Sequence, residues 1–136
     1  MERNGARLRK PRLVLDTNVW ISALLNKNGA PFRIVSRYSN GEIEIITSEA
    51  LLEELREVLS RRRFEQKYRI TREDIEAYTA MIRQRAVVVE TTGGVFGCED
   101  PDDDVAIETA IKGRADAVVS GDAHLTGDYN LVALLN

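Results

Sequence analysis

Four acidic positions, far apart in the sequence, are the side chains best suited to chemistry in this chain. They are Asp16, Glu54, Asp104 and Asp122. Carboxylates that a fold brings together repel one another, and burying a charge without a partner is costly. A hard divalent cation removes that cost, and sites made only of oxygen atoms suit Mg²⁺ or Mn²⁺. The four positions therefore predict a metal site of the kind that acts on phosphodiesters.

Two of these acids fall at the ends of predicted strands. Asp16 ends the apolar run 12–16, and Asp122 lies just beyond the run 115–120. In an open parallel sheet, ligands bind outside the carboxyl ends of the strands, so both acids are expected at that edge. The alternative for Asp16 is that its carboxylate caps the helix that follows it.

The other two acids lie on predicted helices. Around a helical wheel, Glu54 lies about 100° from the centre of the apolar face, whereas its neighbours Glu53 and Glu57 point roughly 160° away. Glu54 can therefore reach a cleft, although a pair with Arg61 is an alternative. Asp104 lies past the first turn of its helix and again borders the apolar face, so helix capping explains it less well than the acids before it.

The elements that must position these acids alternate between strands and helices. Predicted strands cover 12–16, 43–47, 86–90 and 115–120, and predicted helices cover 19–25, 30–38, 48–59, 71–82 and 101–113. In the last helix, Ile107, Ala110 and Ile111 are expected to face the core. Alternation of this kind predicts an α/β fold with a parallel sheet and helices on both faces. We expect a basic extension over 1–12 and one domain over 13–136, whose last strand is left open.

Composition excludes several classes of protein. The chain has 136 residues, a net charge of −3 and one cysteine, Cys98, so an intramolecular disulfide is impossible. No apolar run approaches the roughly 18 residues of a membrane span, and no signal-peptide core follows Met1, so we expect a cytoplasmic protein. The acidic cluster lacks the glycine and glutamate of an EF-hand loop, and no phosphate-binding P-loop is present. One histidine, His124, gives little support to nucleophilic catalysis.

A basic run stands in the middle of the chain. It consists of Arg61, Arg62, Arg63, Lys67 and Arg69, with the aromatic residues Phe64 and Tyr68 between them. Cations with interleaved aromatic side chains suit single-stranded nucleic acid, because the cations neutralise phosphates while the rings stack on bases. A solvated helix face is the alternative interpretation of this run.

In chain order, the acidic motifs resemble the PIN domain family. The motifs are Asp16-Thr17-Asn18, Glu54-Leu55, Asp100-Pro101-Asp102-Asp103-Asp104 and Ser120-Gly121-Asp122. Within that family, the chain is similar to bacterial and archaeal toxins of toxin–antitoxin pairs such as VapC. The resemblance implies a three-layer α/β/α sandwich around a central parallel sheet of four strands, with a fifth left open. It also implies a metal-dependent ribonuclease.

The resemblance further implies roles for individual residues. Asp16, Glu54, Asp104 and Asp122 match the family's catalytic acidic quartet, which binds Mg²⁺ or Mn²⁺, and Asp103 rivals Asp104 as the third member. Thr17, Asn18 and Ser120 match polar positions that orient carboxylates or hold a metal-bound water. Single-stranded RNA is the expected substrate, with phosphates bound by Arg61, Arg62, Arg63 and Lys67. A cognate antitoxin and a second copy of the chain are the expected protein partners.

Two other functions are compatible with the same acids. One is a catalytically silent module that binds RNA or a protein partner, although all four acids are present. The other is a metal-dependent phosphatase, but the first strand ends in Asp16-Thr17-Asn18, where phosphatases of the haloacid dehalogenase type have Asp-x-Asp.

Overall fold

Strands and helices alternate along the chain as the sequence predicts. The computed structural model describes residues 9–94, 101–121 and 129–133, and the side chains of 9–94 and 104–120. Within these ranges the strands are β1 (Arg12–Leu15), β2 (Glu44–Ser48), β3 (Val87–Val89), β4 (Ala117–Gly121) and β5 (Tyr129–Ala133). The helices are α1 (Thr17–Leu25), α2 (Ala30–Ser39), α3 (Glu49–Leu59), α4 (Arg62–Tyr68), α5 (Arg72–Arg85) and α6 (Pro101–Gly113).

The strands form one sheet in the order β3-β2-β1-β4-β5. The first four strands are parallel, as the sequence predicts, with Leu13 paired to both Ile45 of β2 and Ala117 of β4. The fifth strand, which the sequence left open, is present and runs antiparallel to β4, with Val118 opposite Val132.

Alternate residues of the central strands belong to two separate hydrophobic cores, one on each face of the sheet. Leu15, Ile45 and Val119 face a layer built from helices α1 to α5. Their neighbours Val14, Ile46 and Val118 face α6 on the other side. Successive side chains of a strand point to opposite faces, so this alternation creates the three layers of an α/β/α sandwich. The predicted fold class is confirmed. Within the described residues, no helix is both long and apolar enough to cross a bilayer.

Local signals place the helix starts where the sequence predicts them. The Ser48 hydroxyl accepts a hydrogen bond from the Leu51 amide at 3.3 Å and caps α3. Thr71 and Asp74 form a reciprocal capping box at the start of α5, at 3.0 and 2.9 Å. Each cap satisfies amide groups that the first helical turn leaves without a partner in the helix.

Three details differ from the predictions. Helix α4 occupies the middle basic run, for which a helix face was only the alternative interpretation, and its Phe64 is buried. Ile111, expected to face the core, is 59% exposed. Ala110 is buried as expected and Ile107 is half-buried, and Ala106 also contributes to the buried face of α6. Small side chains let a helix approach the sheet closely, and the wheel then turns Ile111 towards solvent.

Candidate metal centre

The site lies where the strand order changes direction. From β1 the chain moves to β2 and β3 on one side and later crosses to β4 on the other side of β1. Ligands of open α/β sheets bind at such a switch point, outside the carboxyl ends of the strands. Asp16 directly follows β1, and its amide donates a 2.9 Å hydrogen bond to the Val119 carbonyl of β4. Asp16 therefore lies at the end of β1 and is hydrogen-bonded to the neighbouring strand β4.

Asp16 and Glu54 are brought together through one residue, Thr17. The Thr17 amide donates to Asp16 Oδ1 at 2.7 Å, and the Thr17 hydroxyl donates to Glu54 Oε1 at 2.8 Å. The Ser120 hydroxyl lies 3.4 Å from the other Asp16 oxygen, Oδ2. Thr17 is buried, while both carboxylates are half-buried. Two acids thus converge on one residue at the predicted edge, Asp16 on its backbone amide and Glu54 on its hydroxyl.

Asp16 also caps α1, as the alternative interpretation held. The hydrogen bond to the Thr17 amide engages only Oδ1, and it orients the carboxylate across the start of the helix. Capping and metal binding are compatible, because a carboxylate has about four lone-pair sites.

Asp104 reaches the same edge from the opposite layer. Helix α6 packs on β1 to β4. It connects the parallel strands β3 and β4, so it runs antiparallel to them. Its N-terminal part therefore lies at the carboxyl edge of the sheet. Two contacts support this placement: Thr109 bonds to Ser48 at the end of β2, and Glu108 bonds to the segment that follows β3. Asp104 is half-buried, as its position on the helical wheel predicted.

Glu108, one turn after Asp104, is a buried carboxylate with four donors. It accepts from the Thr92 amide at 2.6 Å, the Gly93 amide at 2.9 Å and the Thr92 hydroxyl at 3.0 Å, and Lys112 lies 3.3 Å away. The Thr92 amide is the main cause that lowers the pKa of Glu108 from 4.5 to about 2, with help from the other donors and against the effect of burial. Its ionised form therefore fastens α6 to the end of β3.

This lowered pKa gives the contribution of Glu108 to stability a defined dependence on pH. The pKa of Glu108 is lower in the folded chain than in the unfolded chain. Its contribution to stability is therefore fully present at pH values above the unfolded pKa of 4.5, and it is lost as the pH falls towards the folded pKa of about 2. Glu108→Gln is expected to be less stable than wild type at pH 7, and the difference should shrink steadily below pH 4.5. Urea unfolding followed by Trp20 fluorescence at several pH values measures it. A difference that stays constant down to pH 2.5 would contradict the assignment.

For some of the predicted site residues, the structure describes no side chain. Asp122 lies outside the described residues, as do Cys98 and His124, and for Asp103 the structure describes only the helical backbone. Asn18 is exposed on the first turn of α1, and Ser120 is half-buried. Within the described part of the chain, no three Asp, Glu, His or Cys side chains form a group able to hold a metal ion. Asp16 and Glu54 are a pair that further ligands would have to complete.

Comparison with known proteins identifies the family. The sequence profile of the PIN domain matches residues 12–124. The chain belongs to the PIN domain family. The uncharacterized protein MJ1680 of Methanocaldococcus jannaschii is 30% identical over 126 residues, which are 92% of this chain and 76% of that protein. The resemblance stated from the motifs is confirmed at the level of the family.

A solved structure shows the same fold. The crystal structure of Mycobacterium tuberculosis VapC20, described as a toxin that cleaves the sarcin–ricin loop, superposes with a TM-score of 0.55. The superposition covers 87% of this chain and 99% of VapC20, at 16% sequence identity. The chain therefore has the PIN fold of a VapC toxin.

The basic run of this PIN domain lies on α4. Arg62, Arg63 and Lys67 are exposed on this helix, and Arg61 just before it is also exposed and pairs with Glu57 at 3.1 Å. Phe64 is only 7% exposed and packs in the core, so the expectation that it stacks on bases is wrong. Tyr68 is 43% exposed, so its ring is accessible for stacking on a base, and Lys67 Nζ lies 5.4 Å from its ring centre.

Glu108 and Thr109 were missed as residues of interest in the sequence. Asp104, Glu108 and Lys112 follow one another at intervals of four, so they share a face of α6. That spacing could have singled out Glu108. The polar partner of Thr109 is Ser48 of β2, which lies 61 residues earlier in the chain, so no local sequence pattern predicts this hydrogen bond.

Proposed function

We propose that this PIN domain is a metal-dependent endoribonuclease that hydrolyses phosphodiester bonds in single-stranded RNA. Membership of the PIN family and the fold shared with VapC20 support a nuclease role. The observation that carries the proposal is the convergence of Asp16 and Glu54 on Thr17, at the carboxyl end of β1 beside β4. Carboxylates gathered at one edge of the sheet repel one another, and bound cations reduce that repulsion.

The donor set suits Mg²⁺ or Mn²⁺. Asp16 and Glu54 offer carboxylate oxygens, which are the ligands preferred by these hard cations. In the proposal, Asp16, Asp104 and Asp122 hold the ion, Asp103 is the rival for the third position, and Glu54 binds a second ion or a bound water. When bound, the ion lowers the pKa of a water molecule and so supplies hydroxide near neutral pH.

The neighbouring polar side chains hold this arrangement in place. The Thr17 hydroxyl donates to Oε1 of Glu54 and so restricts the orientation of that carboxylate. The Ser120 hydroxyl lies near Asp16 Oδ2 and fixes the plane of that carboxylate. Asn18, exposed on the first turn of α1, is proposed to hold a water or a phosphate oxygen. Such partners restrict the orientation of ligands and so strengthen binding of the ion.

We assign phosphate binding to the exposed cations of α4. Arg62, Arg63 and Lys67 face solvent, and Arg61 retains donors beyond those facing Glu57. Phosphates along a flexible strand can follow such a surface, with Tyr68 available to stack on a base. Binding of this kind weakens as salt rises, because each neutralised phosphate releases counterions.

The cellular role is also a proposal. The fold of VapC20 supports the toxin half of a toxin–antitoxin pair, with a cognate antitoxin as the protein partner. A homodimer and a cytoplasmic location accompany that role. Growth arrest on expression, relieved by the product of a neighbouring gene, is the result that these assignments require.

The decisive experiment is cleavage of an unstructured, labelled RNA by purified protein. We expect cleavage with Mn²⁺ or Mg²⁺, no cleavage with EDTA, and recovery when the metal is restored. Attack by hydroxide should leave a 5′-phosphate and a 3′-hydroxyl. Cyclic phosphate ends, which arise from attack by the RNA 2′-hydroxyl, would identify another nuclease in the preparation. Binding of RNA without cleavage under any metal would favour the silent module instead, and release of phosphate from small phosphoesters would favour a phosphatase.

A further inference from the structure

Helix α6 carries two adjacent buried polar side chains that the proposed chemistry does not use. Glu108 is 4% exposed, and Thr109 is fully buried. Buried polar groups are stabilising only when their hydrogen bonds are satisfied. Glu108 finds its donors in the segment after β3, and Thr109 finds its partner at the start of α3. Both contacts therefore fix α6 relative to the carboxyl edge of the sheet.

The contact of Thr109 links the two layers of the sandwich. Its hydroxyl oxygen lies 3.0 Å from the Ser48 hydroxyl oxygen and 2.7 Å from the Val105 carbonyl. Ser48 Oγ also accepts from the Leu51 amide as the cap of α3. A continuous chain of hydrogen bonds therefore runs from the first turn of α3 to the residue that follows Asp104.

The two ends of this chain belong to helices that carry candidate ligands. Glu54 lies on α3, on one side of the sheet, and Asp104 lies on α6, on the other. A cation shared by both layers requires a fixed distance between them. Apolar packing alone tolerates small sliding of a helix over a sheet, whereas a buried hydrogen bond has a narrow range of length and angle.

We propose that Ser48 and Thr109 are positioning residues that set the distance between Asp104 and the pair Asp16–Glu54. This inference rests on the proposed function, because it concerns the ion held by those carboxylates. Neither hydroxyl is proposed to touch the ion or the substrate. The prediction is that removal of the Thr109 hydroxyl weakens metal binding by more than removal of an equally buried hydroxyl elsewhere in the chain.

The chain supplies a matched control in Thr79 of α5. Thr79 is also fully buried, and its hydroxyl bonds to the Ile75 and Glu76 carbonyls of its own helix at 3.0 and 3.2 Å. Thr79 and Thr109 therefore share burial and the bond to a preceding carbonyl. They differ in one hydrogen bond: the Thr109 hydroxyl also bonds to Ser48 in another element, whereas the Thr79 hydroxyl bonds to carbonyls of its own helix.

The experiment compares Thr109→Val, Thr109→Ser and Thr79→Val in the full chain. Mn²⁺ binding is measured from the paramagnetic resonance signal of the free ion, and stability is measured on metal-free protein. Thr109→Val should weaken Mn²⁺ binding about tenfold, the lower end of the loss seen when direct partners of metal ligands are removed, because Thr109 acts on Asp104 only through the helix. Thr109→Ser and Thr79→Val should bind within about twofold of wild type by the same measure.

The order of the effects separates positioning from stability. Thr109→Ser loses a buried methyl group and so should be less stable than wild type, yet it should bind Mn²⁺ normally. Thr109→Val keeps the buried volume and yet should bind poorly. If metal affinity follows stability across the three variants, or if Thr109→Val binds like wild type, the inference is wrong.

A second measurement on metal-free protein distinguishes the two proposals. The ¹³C signal of the Asp104 carboxyl group should shift in Thr109→Val and stay in place in Thr109→Ser and Thr79→Val. If the wild-type protein binds no Mn²⁺, the proposed metal-dependent function fails, while the Asp104 signal still tests the positioning. An Asp104 signal unchanged in Thr109→Val would overturn the inference on its own.

Discussion

Asp16→Asn is expected to reduce metal-dependent RNA cleavage by roughly 10²–10³-fold, the usual loss when one electrostatic group is removed from an active site. Asparagine keeps an oxygen that can accept from the Thr17 amide, so the cap of α1 is retained. The fold should therefore persist, and metal-free protein should unfold at or slightly above the wild-type temperature, because one of two neighbouring negative charges is gone. Initial rates at saturating Mn²⁺ measure the effect.

Glu53→Gln is the matched control for this prediction. It removes one negative charge from α3 next to Glu54, but Glu53 is exposed and pairs with Arg56 at 2.9 Å. Its cleavage rate should equal that of wild type. Wild-type cleavage by folded Asp16→Asn would show that Asp16 is not a ligand. Equal losses in both variants would point instead to a general effect of charge on RNA binding.

Local patterns predicted most of the fold. Apolar runs rich in branched residues became the buried parallel strands, and the helices predicted to start at 48 and 71 are capped at those positions by Ser48 and Thr71. These signals lie within a few residues of the element that they specify, so they can be recognised without knowledge of the tertiary structure. The antiparallel pairing of β5 with β4 depends on contacts between strands, and the sequence left it open for that reason.

The same distinction applies to the candidate site. Asp16 was found because it follows a strand, and Glu54 because its position on the helical wheel differs from that of Glu53. The hydrogen bond between Thr17 and Glu54 joins residues 37 positions apart. No local pattern predicts such a contact, although Thr17 itself was expected to orient a carboxylate. The partnership of Thr109 with Ser48 was hidden for the same reason.

The wrong expectations share a physical cause. Phe64 stands between charged residues, so its surroundings in sequence indicated an exposed ring, but α4 turns it into the core beside Ile70. Ile111 was expected inside because it is large and apolar, yet α6 packs through alanines and a glycine. Burial was decided in both cases by the direction in which a helix faces, and that direction is set by packing between elements.

Gly113 shows how tightly α6 must approach the sheet. A Cβ atom at this position would lie 2.2 Å from Ile46 Cγ2 and 3.0 Å from Ile46 Cγ1. Ile46 is fully buried in β2, so it has little room to move. The Gly113 carbonyl also accepts from Arg12 Nη2 at 2.6 Å, which fixes the backbone at the end of the helix. The sequence indicated Gly113 only as a helix terminator.

Gly113→Ala is therefore expected to destabilise the protein by about 2–3 kcal/mol, since overpacking of a core usually costs that much and exceeds the gain in helix propensity. Such a loss lowers the melting temperature by roughly 6–15 °C in a domain of this size. Urea unfolding followed by Trp20, the single tryptophan, measures it. Trp20 is buried against Tyr38 and Tyr78, so its emission should report loss of the core.

A double-mutant cycle with Ile46 identifies the clash as the cause. Ile46→Ala removes both γ-carbons and is destabilising on its own, but in that background the added methyl group at position 113 should cost nothing or should stabilise. Ile46→Val keeps Cγ2, the atom nearest to the added methyl group, so it should give no rescue. If Gly113→Ala costs the same in all three backgrounds, the loss comes from the backbone at the helix end. In that case the close packing of α6 on β2 would no longer explain why glycine is needed there.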